Sequence, residues 1–148
     1  MSTPHDQSAF NSSIIEEFRT GNGLVKNEML RDVPLVLLTT TGARTGRSRT
    51  TPLGFLRDGP GRIVLWASAM AAPSHPAWYH NLVADPHVTI ELRTDAGVVK
   101  TFQGIATTAQ GAERERLFGV LQAANPGVAD HQSRTEREIP LVIVEYTD

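Results

Sequence analysis

The sequence predicts a mainly β, α+β domain whose sheet is barrel-like or curled. Three observations carry that expectation. Short apolar runs rich in β-branched residues recur along the chain, and turns of Gly, Pro, Asp and Asn separate them. Only about three segments have helical spacing, too few for the crossovers of a doubly wound parallel sheet. At 148 residues with 40% apolar and 20% charged residues, the chain is long enough for one core and too short for two full domains.

Residues 1–10 read as a flexible N-terminal tail and 11–148 as a single domain. A short helix begins at Asn11 with cap-type residues, places Ile14, Ile15 and Phe18 on one face, and ends at Gly21. Pro34 to Thr41 is an apolar, β-branched run, expected as a buried strand. After a turn over Gly42 to Ser48 comes a second strand from Arg49 or Thr50 to Leu56. The turn Asp58-Gly59-Pro60-Gly61 leads into a third strand, Arg62 to Ser68. A small-residue loop from Ala69 to Ser74 precedes a helix from Pro76 to Leu82, which Asp85-Pro86 stops. His87 to Arg93 and Val98 to Ala106 form a hairpin in which Val88, Ile90 and Leu92 share a face. Gln110 to Ala123 is the third helix, with Glu113 to Arg116 on its solvated side. A loop through Asn125-Pro126-Gly127 leads to a last strand, Ile139 to Tyr146. The expected count is six strands and about three helices.

Composition narrows function before any motif does. The absence of cysteine excludes disulfides, thiolate metal sites, iron–sulfur clusters and a cysteine nucleophile. A formal charge of -2 argues against a general nucleic-acid binder. No run approaches the ~20 apolar residues of a membrane span, and the first eleven residues lack the apolar stretch of a secretion signal. These readings give a cytoplasmic domain. They leave open a peripheral membrane contact through the N-terminal helix.

The charge is unevenly spread. From Val33 to Arg57 there is no acidic residue, yet Arg44, Arg47, Arg49 and Arg57 all occur. Three of these arginines flank the Gly42–Gly46 turn, with Thr45, Ser48, Thr50 and Thr51 beside them. Guanidinium forks, hydroxyls and backbone N–H groups at glycine turns are what a phosphate or several carboxylates require. A solvated basic hairpin paired with acids elsewhere is the alternative. The glycine spacing does not fit a Walker phosphate loop, which also carries Lys and joins a strand to a helix. There is no G-x-G-x-x-G after a strand and no G-x-S-x-G elbow.

Three other stretches offer chemistry. Ala67-Ser-Ala-Met-Ala-Ala-Pro73 ends a strand with small residues that would let the backbone approach a flat ligand, and Ser68 supplies a hydroxyl. In His75-Pro-Ala-Trp-Tyr-His-Asn-Leu82, the two histidines are five apart and off a common helix face, so no metal site is expected. Trp78 and Leu82 read as core or pocket wall, and Asn81 as a hydrogen-bonding partner for a neighbouring loop or a ligand. His131, in Asp130-His131-Gln132, is a surface histidine unless it faces a pocket, where it could donate a proton.

Taken together, these segments resemble the deazaflavin-dependent nitroreductase family of split-barrel oxidoreductases. The matching stretches are Leu37 to Leu53, His75 to Pro86 and Glu138 to Glu145, in one order over most of the chain. The resemblance implies a split β-barrel, similar to the FMN-binding barrels. It also implies the cofactor F420, an 8-hydroxy-5-deazaflavin whose tail carries a phosphate and several glutamates. By position, the tail would fall on Arg44, Thr45, Gly46, Arg47, Arg49 and Thr50, with Pro52 and Leu53 along its path. The segment Ala67, Ser68, Ala69, Met70, Ala71 and Ala72 would lie along the ring, followed by His75, Pro76, Trp78 and Asn81. The implied chemistry is hydride transfer to an enone, quinone or nitroaromatic, with Ser68 and His131 as catalytic candidates.

Two departures from the family pattern stand out. Ser68-Ala-Met-Ala71 replaces the usual Ser-Lys-Gly-Gly, removing a cation. The loop with Asn125, Val128 and His131 lacks the tyrosines of nitroimidazole-reducing members. An FMN-binding split-barrel oxidoreductase and a non-catalytic F420 carrier are the rival readings. The expected partner is a small-molecule substrate rather than nucleic acid, and a homodimer is open.

Overall fold

A computed structural model of the chain describes residues 4–27, 34–67, 75–124, 132 and 139–147, the side chains of residues 4–8 excepted. Among the described residues, the helices α1 (Pro4–Thr20), α2 (Ala77–Ala84) and α3 (Gly111–Ala124) flank one antiparallel sheet. Its strands are β1 (Leu35–Thr41), β2 (Ser48–Gly54), β3 (Leu56–Arg57), β4 (Arg62–Trp66), β5 (His87–Arg93), β6 (Val99–Thr108) and β7 (Leu141–Thr147). The order across the sheet is β2-β1-β5-β6-β7-β4-β3.

That order forces the curl. β2 and β3 lie at opposite edges, yet only Phe55 separates them in the chain. The two edges must therefore meet, and the sheet rolls into a half-barrel. Alternation along the strands sets its two faces. Val36 and Leu38 of β1, Ile63 and Leu65 of β4, Val88, Ile90 and Leu92 of β5, and Val142 and Val144 of β7 fill the interior. The intervening residues face the helices. Leu35 and Leu37 pack against Ile14 and Phe18 of α1. Val64, Leu141 and Ile143 pack against Leu117 and Leu121 of α3. Strands buried on both faces explain why β1 and β7 read as unbroken apolar runs.

The split-barrel, mainly β expectation holds, with three local corrections. The helix starts at Pro4 rather than Asn11, so residues 4–10 are helical. Its apolar side chains Ile14 and Phe18 are committed to the core. The second strand does not run to Leu56, because the chain bends at Phe55 and crosses to the other edge as β3, giving seven strands instead of six. The third strand ends at Trp66, with Ala67 bonded from its N–H to the Pro140 carbonyl at 3.0 Å. Among the described residues, no helix is long and apolar enough to cross a membrane.

Candidate functional site

The β1–β2 hairpin builds the arginine turn from its own backbone. The Gly42 N–H donates to the Arg47 carbonyl at 2.7 Å, and the Gly46 N–H to the Gly42 carbonyl at 2.8 Å. The Thr45 hydroxyl accepts the Arg47 N–H at 3.2 Å. Gly46 has φ 70°, a left-handed conformation that a side chain would strain. A Cβ on Gly42 would stand 2.8 Å from the Thr45 hydroxyl oxygen, so glycine is needed there for closeness. Below the turn, Thr39 and Thr50 face one another across the ladder with their hydroxyl oxygens 2.8 Å apart. Pro52 sits on β2 without breaking a ladder because β2 is an edge strand.

Arg44, Thr45, Gly46, Arg47 and Arg49 are all exposed. Among the described residues, none of the three guanidiniums meets an acid or a carbonyl. The N–H groups of Arg44 and Thr45 likewise have no acceptor there. The turn thus presents three cations and two backbone donors to whatever anion approaches. Among the described residues, the alternative of arginines paired with distant acids does not form. Leu53, further along β2, packs at the edge of the barrel interior.

α2 closes the barrel end beside this turn. Trp78, Asn81 and Leu82, at helical spacing, form its buried face, and Trp78 and Leu82 join the interior core. Trp78 is therefore a core residue in the described structure. Asn81 Oδ1 accepts the Ala43 N–H at 2.9 Å, and its Nδ2 donates to the Thr40 hydroxyl at 3.2 Å. His75 and Tyr79 lie away from Asn81 and line a cavity of about 470 Å³ between α2 and the start of α3. Pro76 supplies the residue before the first helical turn.

Thr108, Ala109, Gln110, Gly111, Arg114 and Pro140 complete the described lining of this cavity. The Tyr79 hydroxyl stands 3.0 Å from that of Thr108, and the His75 ring packs edge-on against Tyr79, with centroids 5.0 Å apart. The histidine rings of His75 and His80 also approach to 5.8 Å, despite their spacing, because His75 precedes the helix. Among the described residues no group of three His, Asp or Glu converges. Arg114 donates to the Ile139 carbonyl at 2.9 Å, and Gln132 Oε1 accepts the Ile139 N–H at 2.8 Å. Ser68, Ala69, Met70, Ala71, Ala72 and His131 lie outside the described residues; Ala67 is fully buried at the end of β4.

Sequence reasoning passed over Tyr79 and Arg114. A signal for Tyr79 existed, since it stands four residues after His75. Arg114 had none, because an arginine on a wet helix face looks like any other.

Comparison with known proteins places these features in a family. Residues 13–146 match the F420H(2)-dependent quinone reductase family. An F420H(2)-dependent quinone reductase of Mycobacterium tuberculosis is 35% identical over 130 residues, covering 86% of this chain and 83% of that protein. A solved F420-H2 dependent reductase, FDR-A, is 38% identical with a TM-score of 0.64, over 76% of this chain and 94% of its own. Another solved structure, a domain-swapped dimer, is 35% identical with a TM-score of 0.67, over 97% of this chain and 100% of its own. With a match running through both the arginine turn and the last strand, the chain belongs to the F420H(2)-dependent quinone reductase family.

Proposed function

We propose that this protein is an F420H2-dependent reductase whose acceptor is a small quinone, and that the arginine turn holds the cofactor's anionic tail. The observation that carries the reading is the set of three exposed guanidiniums, Arg44, Arg47 and Arg49, without a protein partner among the described residues. A phosphate followed by glutamates is a polyanion, and an unpaired cation cluster fits it without first breaking internal ion pairs. FMN has the phosphate alone and would leave part of the cluster unused. When bound, reduced F420 supplies the two-electron reducing equivalent that the acceptor takes up.

The chain's own work is to bind, orient and deliver a proton. Arg44, Arg47, Arg49, Thr45 and Thr50 would fix the tail, with Pro52 and Leu53 along its path. Ala67 to Ala72, His75 and Pro76 would border the ring. The cavity beside His75, Tyr79, Gln110 and Arg114 supports a quinone as acceptor, because a quinone offers two carbonyl oxygens to such donors. Ser68 would hydrogen-bond the acceptor and His131 would give the proton that accompanies its reduction. Enones belong to the same class of electrophile. Nitroimidazoles are the poorest fit, since the loop holding Asn125, Val128 and His131 lacks tyrosines. Self-association is part of the reading: β2 and β3 are sheet edges, and one relative forms a domain-swapped dimer.

Titration by F420 fluorescence should saturate at micromolar cofactor, and reduced F420 should be oxidised on adding menadione. Tight FMN uptake without F420 saturation would overturn the cofactor. Binding without oxidation by any quinone or enone would leave a carrier. His131→Ala should flatten the pH dependence of turnover, and an unchanged profile removes it as the donor.

A further inference from the structure

We propose that Tyr79 is a catalytic residue on the acceptor side, its phenolic O–H donating to the carbonyl oxygen on which charge builds as a quinone is reduced. The proposal rests on the quinone reading above and names the group that meets that oxygen. Tyr79 stands on α2 beside the buried face of Trp78, Asn81 and Leu82, half-buried with its ring against the barrel interior. Two neighbours frame that ring. His75 packs edge-on with centroids 5.0 Å apart, and Trp78 lies nearly perpendicular at 6.4 Å. Such packing asks only for a phenyl ring, so the hydroxyl needs its own account.

The hydroxyl stands 3.0 Å from that of Thr108, and neither has a further partner among the described residues. Each hydroxyl carries one proton. Whichever donates within the pair, one proton is left over, and both side chains line the cavity of about 470 Å³. A phenol is the stronger donor of the two, and a bond received from Thr108 strengthens it further. The favoured order therefore runs from Thr108 to Tyr79 to the ligand. Its complement is an oxygen that accepts and has no proton to give. A quinone carbonyl is such an oxygen, and Ala109 and Pro140 offer apolar wall to its ring. The bond tightens as the oxygen gains charge, which lowers the barrier as well as the KM. Overall the quinone takes two electrons and two protons and leaves as hydroquinone, while reduced F420 becomes F420. One proton travels with the electrons as hydride, and the second comes from the donor proposed above. Tyr79 keeps its own.

The test is steady-state reduction of menadione by the full chain with reduced F420. Tyr79→Phe should lower kcat/KM for menadione roughly tenfold, mostly through kcat, with the Kd for F420 unchanged. Thr108→Val should lower it about threefold. Added to Tyr79→Phe it should cost nothing more, because the two hydroxyls act as one donor. In infrared difference spectra with oxidised F420 present, the carbonyl band of bound menadione should lie at lower frequency in the parent than in Tyr79→Phe. Parental kcat/KM in Tyr79→Phe, an equal loss of F420 affinity, or an unmoved carbonyl band overturns the proposal. If Tyr79→Phe does not fold, Thr108→Val decides: a threefold loss with the band raised supports the proposal, and parental values overturn it. A parent that binds F420 yet leaves the reduced cofactor unoxidised by menadione defeats the quinone reading and this proposal with it. Parental turnover beside a parental Tyr79→Phe defeats only the role of Tyr79.

Discussion

The described residues hold arginines of two kinds. At the base of α3, Arg62 forms ion pairs with Asp58 at 3.2 Å and with Glu113, while Arg116 reaches Asp58 at 3.0 Å and Glu113 at 3.3 Å. Arg19 forms a two-pronged pair with Glu91 at 2.8 and 2.9 Å. Arg93 ties the Asn22 and Gly97 carbonyls at 2.6 and 3.0 Å. At the β1–β2 turn, Arg44, Arg47 and Arg49 have no such partner among the described residues. The same side chain closes seams in one region and is left available in the other. Exposure alone does not distinguish them, because Arg19 and Arg116 are about half exposed as well. What distinguishes them is whether an acid or a backbone carbonyl was placed opposite.

The sharpest break of this contrast is Arg47→Ala combined with Arg49→Ala. It should weaken F420 binding on the order of 100-fold at low salt, in a salt-sensitive manner, with the melting temperature unchanged. A destabilised double variant would mean that the turn's arginines are structural too. The converse is Arg116→Ala, which should lower the melting temperature by a few degrees and leave F420 affinity intact.

The smallest effect is on pH. Hydrogen bonding and charge from Arg116 hold both the Asp58 and Glu113 carboxyls below their usual range. A lowered carboxyl value contributes stability above the ordinary carboxylate range and loses it as pH falls through the folded value. The melting difference between parent and Arg116→Ala should therefore be full at neutral pH and shrink below pH ~4. A difference that grows on acidification would contradict the ion-pair origin.

Much of this was legible in sequence, for definite reasons. The barrel interior announced itself through the alternation of Val88, Ile90 and Leu92, and β1 through an apolar run buried on both faces. The arginine cluster was legible because the acids missing from Val33 to Arg57 are missing from the turn itself. The bend at Phe55 was not, since a single residue between two β-like runs carries no turn signature. Nor was the start of α1, because the polar residues from Pro4 onward suit a helix end as well as a tail. The cavity escaped because it is assembled from α2, α3 and the end of β6, which no local pattern joins. Asn81 was legible as a loop partner, but its dual attachment to Thr40 and Ala43 depends on distant register.

The single-residue link at Phe55 has a consequence for how the barrel breathes. Closure across the β2–β3 seam depends on chain continuity and on Phe55 and Leu53 packing at the core edge, with no ladder spanning it. The seam can part without breaking a backbone hydrogen bond of the sheet. Amide protons of β2 and β3 should then exchange with solvent well before those of β6 and β7, which are paired on both sides. The arginine turn sits at one end of β2, so the strand expected to exchange early is also the one that carries the charged grip.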